Sequence, residues 1–375
     1  MDDEQRSSTC GTYYKLAISL LCLTAVIGVS PLYENVFLTY VPGYHCLQNT
    51  DENATDTSLD LDAIEPIPRQ CYLHNDSSYN SSDLEDNNAT RCESWRFLKP
   101  SAVESISTEF SLVCGDAWLS PMLISIQMFG FMVGSIAGGT LSDRFGRRPV
   151  YLSAIFLEAS SLLAMSLSPI LATMYVFMFL TGAGMIVRGM TGIVIVNEIV
   201  PNSYRRAVGI LAIVSESLSG TLVAPMAMLL PNWRWMIMST GVSLFVVSVP
   251  VFIFIYETLK WLHQTGNHGE VEKVQAKIRR INGEKLCEEN HQDSLEERNQ
   301  LTTEDTDKKR KSYNYLDLFK VGFIRRRTFI LSYAWFSVDM AFYGLTFNTN
   351  NLGNNRYMNS FLTAAVEFPS HIFVT

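Results

Sequence analysis

Charged residues in this chain are crowded into a few stretches and nearly missing from others. Residues 16–33, 117–142 and 235–256 carry no charge, and between Arg148 and Arg188 the only charged residue is Glu158. A helix needs about 20 apolar residues to cross a hydrocarbon core of about 30 Å, and these runs reach that length. The pattern predicts spans at 15–38, 118–141, 149–168, 172–199, 207–230, 235–257, 328–347 and 358–375. Tight turns at Ser168-Pro169 and at 230–234 join the third span to the fourth and the fifth to the sixth. Gly130, Gly134, Gly138 and Gly139 recur along the second span, where small residues let helix backbones approach closely in lipid. The fold class is an all-α polytopic membrane protein. The acidic start, Met1-Asp-Asp-Glu4, lacks the basic flank of a cleaved signal peptide, so the first run stays as a span. The last run meets the chain terminus without a polar flank, and truncation inside the eighth span is expected.

Two polar segments interrupt the pattern. The first, 42–116, holds four Asn-x-Ser/Thr sequons, at Asn53, Asn75, Asn80 and Asn88, and four of the seven cysteines, Cys46, Cys71, Cys92 and Cys114. Sequons so clustered predict a glycosylated loop. Four cysteines beside them predict an oxidising compartment and two disulfides, with three pairings open. The second segment, 258–327, contains 15 of the 29 Lys and Arg residues, including Lys308–Lys311 and Arg325–Arg327. Within it 271–281 reads as a short amphipathic helix and 284–312 as polar and mobile.

An apolar fraction of 47% is ordinary for a soluble protein, so placement of charge decides more than its amount. With the N-terminus in the cytoplasm, 22 Lys and Arg fall inside, six fall outside and Arg188 lies within a span. That asymmetry obeys the positive-inside rule and independently puts every sequon outside. A heptahelical receptor, whose N-terminus lies outside, would reverse both and is excluded. The expected location is the plasma membrane.

The second span closes on Gly139-Thr-Leu-Ser-Asp143-Arg144-Phe-Gly146-Arg147-Arg148. An acid at a helix C-terminus opposes the macrodipole unless a cation meets it, and the arginines just beyond supply cations. A cluster of this kind can exchange partners between two conformations and act as a gate. The spacing resembles the loop between the second and third helices of the major facilitator superfamily, as do Glu198-x6-Arg205 and Trp233-Arg-Trp235. Within that superfamily the chain resembles the organic cation, anion and carnitine transporter family. Pro42-Gly-Tyr-His-Cys46, Cys92-Glu-Ser-Trp95, Glu109-Phe-Ser-Leu-Val-Cys114, Arg325-Arg-Arg-Thr328, Asn351-Leu-Gly353 and Glu367-Phe-Pro369 carry that likeness. Departures are Tyr256-Glu-Thr-Leu-Lys-Trp-Leu262, where the family usually has Pro-Glu-Ser-Pro-Arg-Trp-Leu, Met178 in place of an arginine, and Arg188 in place of a small or apolar residue.

The resemblance implies a major facilitator fold of twelve helices in two halves. On that plan 1–14 is a cytoplasmic N-terminus, 15–257 the six-helix N-terminal half, 258–327 a cytoplasmic basic linker and 328–375 the start of the C-terminal half. Substrate would sit near the midplane and be passed by alternating access, by uniport or with a coupling or exchanged ion. Ionisable groups inside spans usually face an interior or a water-filled path. Glu34, Glu158, Glu216, Asp339 and Glu367 face that description against the single base Arg188, which leans the substrate toward a small organic cation or a zwitterion such as carnitine. Asp339 or Glu216 is available to pair with Arg188, and Glu34 falls near the outer water boundary. Trp335 and Tyr343, roughly on one helix face, are the aromatic candidates for a cation. The alternatives are an organic anion or sugar transporter of the same superfamily, a non-transporting membrane protein such as a regulatory partner, and a fragment of an incomplete gene model. The partners expected are the substrate, the bilayer and, where transport is coupled, an ion. No nucleic acid, metal, cofactor or enzymatic chemistry is expected, since the histidines are scattered and no phosphate-binding loop is present.

Overall fold

Each charge-free run folds as one long helix, because lipid offers backbone N–H and C=O groups no partner outside the segment. The computed structural model describes residues 11–46, 71–73, 90–92, 94–97, 104–200, 204–283, 317–320, 322–347 and 355–368. Among these, six helices are long and apolar enough to cross a membrane. They are α1 (Thr12–Leu38), α2 (Leu119–Phe145), α3 (Arg147–Leu167), α4 (Leu171–Ile199), α5 (Arg205–Leu229) and α6 (Trp233–Phe254). The seventh predicted span needs correction, and the eighth falls partly outside the described residues. α7 (Gly322–Phe347) begins before 328 and falls outside the set of six, its apolar character diluted by Asp339 and by several Ser, Tyr and Trp positions. α8 (Arg356–Ala365) is a ten-residue helix, and residues 369–375 lie outside the described residues. So do Asn53, Asn75, Asn80, Asn88, Lys308–Lys311 and the 284–312 segment.

The bundle is held by close backbone approach. α2 packs along α4, α3 lies against α4 and α6, and α1 against α5 and α6, while α8 joins the outside of α5. Gly130 of α2 and Gly182 of α4 make the tightest contact: a Cβ on the first would overlap the carbonyl oxygen of Phe179, and one on the second that of Gln127. Leu123, Leu162, Met174, Trp233 and Ile237 fill one end of the bundle, and Tyr151, Ile155, Leu244 and Val251 the other. At the Trp233 end, α8 meets α1: Tyr357 stacks on Phe37 at 5.5 Å, and Arg356 lies 3.9 Å over the ring of Tyr40.

The same end carries the first polar segment. β1 (Tyr44–Cys46) pairs antiparallel with β4 (Trp95–Phe97), and β2 (Tyr72–Leu73) with β3 (Thr90–Arg91). Cys71 is joined to Cys114, which selects among the three open pairings, and Cys92 is also disulfide-bonded; the side chain of Cys46 lies outside the described residues. A helical turn, Ile106–Glu109, opens with a capping box on Ser105, whose hydroxyl also donates to the Tyr40 carbonyl at 2.6 Å. Glu109 then accepts from Trp233 Nε1 at 2.8 Å and from Arg234 at 2.5 and 3.1 Å. Arg234 reaches onward to the carbonyls of Ser166 and Ser168, so one guanidinium ties the segment to α6 and to the turn between α3 and α4. Burial raises the Glu109 carboxyl, but these hydrogen bonds and the charge of Arg234 outweigh it and hold the group below the ordinary carboxylate range.

At the opposite end two short helices follow α6. Leu259–Gln264 and His268–Asn282 pack on each other, and the second covers the predicted 271–281. Its last residue turns back on α1: Asn282 Oδ1 accepts the Tyr13 N–H at 2.9 Å, supplying from another helix the N-terminal cap that Gly11 has no side chain to give.

Two outcomes follow from this packing. Gly130→Ala places a methyl where the α4 backbone lies, which is expected to cost about 1–3 kcal/mol and to lower the melting temperature in detergent. An unchanged melting temperature would contradict the backbone contact. Because the folded Glu109 is held low, its contribution to stability is complete above the ordinary carboxylate range and is lost as pH falls through the lowered value. Glu109→Gln should therefore lower the melting temperature at pH 7 and flatten its decline in acid. A variant that keeps the wild-type acid slope would assign that slope to other groups.

Candidate functional site

Two places collect polar side chains, one at the turn between α2 and α3 and one inside the bundle. The turn needs Gly146 twice. Its φ of +104° is a conformation that L side chains rarely adopt, and a Cβ there would run into the Glu257 carboxylate. That carboxylate, from the segment after α6, accepts the backbone N–H of Arg147 at 2.9 Å, of Arg148 at 3.2 Å and of Thr258 at 3.1 Å. It therefore sits on the positive end of α3, where the first N–H groups have no partner within the helix.

Arg147 is the hub of the cluster. It is nearly enclosed and reaches Asp143 at 3.0 Å, the Ser142 carbonyl at 3.0 Å and Glu198 at 3.3 Å. Glu198 also accepts from Thr258 Oγ1 at 2.6 Å, and Trp261 donates to the Asp143 carbonyl at 3.1 Å. Arg148 donates to the Phe252 carbonyl at 2.6 Å and lies over that ring. The structure thus brings together Asp143, Gly146, Arg147, Arg148 and Glu198. Gly139, Arg144 and Arg205 stay on exposed surface, Arg144 against the ring of Phe145, and stand apart from the cluster. Glu257 and Thr258 were missed by sequence reasoning. Their only signal was the Tyr256-Glu-Thr run after the sixth span, which keeps its acid where the neighbouring prolines are lost.

Within the bundle, residues of α1 to α5 and of α7 line a partly open cavity of about 520 Å³. Arg188, Glu216 and Tyr343 all line it, with Tyr151 beside them. Arg188 is almost fully buried, and its Nε donates to Glu158 Oε2 at 2.7 Å. Neither Asp339 nor Glu216 is its partner: Glu158 projects from α3 directly behind it, a position the sequence does not rank above the other acids. The pair meets at one point, leaving Arg188 Nη2 and Glu158 Oε1 without hydrogen bonds. Gly28 of α1 makes room for the guanidinium, which a Cβ would overlap.

The other candidates fall elsewhere. Glu367 accepts from Ser217 Oγ at 2.8 Å, on the α5–α8 contact next to Glu216 but outside the cavity wall. Asp339 and Trp335 are exposed on α7 and are not among the residues lining the cavity. Trp335 and Tyr343 do not share a site, since eight residues advance a helix by about 12 Å and turn it about 80° off register. Glu34 is not at a water boundary. It is fully buried, accepting from Ser30 at 3.0 Å and Thr240 at 2.6 Å.

Comparison with known proteins agrees with this architecture. The Major Facilitator Superfamily model matches residues 98–373. Solute carrier family 22 member 6-A of Xenopus laevis is 30% identical over 99% of this chain and 69% of its own length. Organic anion transporter 3 of Mus musculus is 28% identical over 99% of this chain and 68% of its own. The chain spans 49–69% of the length of such curated relatives. The proton:xylose symporter XylE bound to 6-bromo-6-deoxy-D-glucose superposes with a TM-score of 0.60 at 16% identity, covering 95% of this chain and 67% of that one, a likeness of fold alone. The chain belongs to the major facilitator superfamily and, within it, to solute carrier family 22, the organic cation, anion and carnitine transporter family.

Proposed function

We propose that this protein carries small organic cations or zwitterions such as carnitine across the plasma membrane by alternating access. The charge balance of the cavity supports this reading best. Arg188 is neutralised by Glu158, while Glu216 stands in the same cavity with no ion pair among the described residues. The wall therefore presents a net negative charge in a low dielectric, which favours a cation over an anion. Tyr343 adds an aromatic face. The anion reading has one observation in its favour, the printed name of a relative, Organic anion transporter 3.

On this proposal 15–257 is the N-terminal half, 258–327 a cytoplasmic linker and 328–375 the start of the second half, with the N-terminus in the cytoplasm and the sequon-bearing loop outside. The Arg147 cluster is then one side of an inner gate. It fixes the turn between α2 and α3 to α4 and to the segment after α6, so those parts move as one body while the opposing half rocks.

Uptake of labelled cations, carnitine and organic anions by the full-length protein tests the reading. Saturable uptake of cations or carnitine is expected, and uptake confined to anions would overturn it. Glu216→Gln should lower cation uptake by about tenfold, equivalent to about 1.4 kcal/mol, with surface expression intact. Unchanged kinetics would remove Glu216 from the substrate path. Glu257→Ala strips the cap from α3, expected to cost about 1–2 kcal/mol. If the cluster is a gate, this variant lowers the maximal uptake rate and leaves KM alone; a rise in KM with an unchanged maximal rate would place the cluster's effect on binding instead.

A further inference from the structure

The first turn of α8 is laid on α1 by its own cap. Asn355 accepts the backbone N–H groups of Tyr357 and Met358, each at 3.2 Å, and fixes where the helix starts. Arg356 and Tyr357 follow directly. The Arg356 guanidinium lies 3.9 Å over the ring of Tyr40 and 4.8 Å over that of Tyr357, and its Nη2 donates to the Tyr357 hydroxyl at 3.0 Å. Tyr357 in turn stacks on Phe37 at 5.5 Å. The α1 side is held as firmly, since the carbonyls of Thr39 and Tyr40 accept from Ser107 at 3.3 Å and Ser105 at 2.6 Å. Below the rings Gly220 of α5 lets α1 and α8 close in: a Cβ there would lie 2.8 Å from Tyr33 and 3.0 Å from Ala364. The cavity lies beneath this junction. Its lining runs from Leu32 to Asn197 and Val208, close to where α4 ends and α5 begins, at the end that carries the Arg147 cluster. We propose that Arg356 and Tyr357, seated on Tyr40 and Phe37, are a latch that keeps the Trp233 end shut, and that its release opens the cavity to that side. The proposal rests on the transport reading above, in which α8 belongs to the half that rocks.

The contact is suited to reversible closure. A cation in the first turn of a helix opposes the macrodipole, whose positive end lies there, so Arg356 is held by the two rings and not by its own helix. It forms no ion pair among the described residues. A half-buried cation–π contact is weak enough to break and strong enough to bias two conformations severalfold. When it parts, the guanidinium and the Tyr357 hydroxyl pass to water at the chain's loop-bearing end, and neither is stranded in hydrocarbon. The anchored partner makes the bias directional: Tyr40 stays with the outer segment through Ser105, so release moves α8 and leaves α1 in place.

Cys22 supplies the reporter, because it is a free thiol on the cavity wall and lies outside both the latch and the Arg147 cluster. Full-length protein in right-side-out and inside-out membrane vesicles is treated with a membrane-impermeant methanethiosulfonate, and modification of Cys22 is followed by peptide mass spectrometry. Wild-type Cys22 should react faster when the reagent meets the Arg147 end. Arg356→Gln and Tyr40→Leu should each raise the rate from the Trp233 side about fivefold and lower the rate from the other side. Arg356→Lys and Tyr40→Phe, which keep the cation and the ring, should stay within about twofold of the wild type. Rates that rise from both sides mark a loosened bundle, and rates that move from neither mark a contact without influence on access; either result overturns the latch. Uptake of labelled organic ions by the same vesicles separates the two claims. Uptake with unmoved Cys22 rates removes the latch and leaves the transport reading standing, whereas reciprocal rate changes in a protein that carries no organic ion remove that reading and leave the latch.

Discussion

Helices surrounded by lipid gain little from burying apolar side chains against each other, since the acyl chains are as apolar as leucine. What holds this bundle is therefore closeness of backbones and a few polar ties, and both are visible at identified residues. Gly130 and Gly182 bring α2 onto α4, and the position of Arg188 on α4 follows from that contact. From there the guanidinium passes between Glu158 of α3 and Gly28 of α1. Widening the α2–α4 contact would shift the cavity wall on which Arg188 stands.

The polar ties are concentrated at the two ends. Glu109 and Arg234 fasten the disulfide-bearing segment to the turns beneath it, and Glu257 and Arg147 fasten the opposite end. Between them the interior holds a few polar pairs, Asn35 with Gln127, Glu34 with Thr240 and Arg188 with Glu158. A body pinned at both ends can move as a unit, and Tyr343 of α7 closes part of the cavity beside it.

Six helices were legible because an apolar run of sufficient length, with at most a few charges, has only one stable form in lipid. The contact of Asp143 with an arginine was legible too, since an acid at the end of one helix calls for a cation and the short turn just beyond supplies it. Glu257 was not, because its partner lies 110 residues away and only the folded bundle brings the end of α6 beneath α3. The same limit explains Arg188. Its burial was readable, but the choice of Glu158 over Glu216 and Asp339 depends on helix rotation, which an uncharged, evenly apolar sequence hardly encodes. Trp335 shows the converse: a residue type suited to a cation site, placed by the helical repeat on another face.

Two helices of this bundle start on caps supplied from far downstream. The Tyr13 N–H waits for Asn282, 269 residues later, and that of Arg147 for Glu257. A chain made from its N-terminus at about 5–20 residues per second inserts both helices well before either cap exists. The six spans are thus threaded through the bilayer with two helix ends open, and they lock only when the segment beyond the sixth has emerged on their own side. The short helices after α6 are in this sense the last component of the six-helix bundle to be assembled, and the length of chain that must be synthesised before it can close is set by Asn282, not by the end of α6.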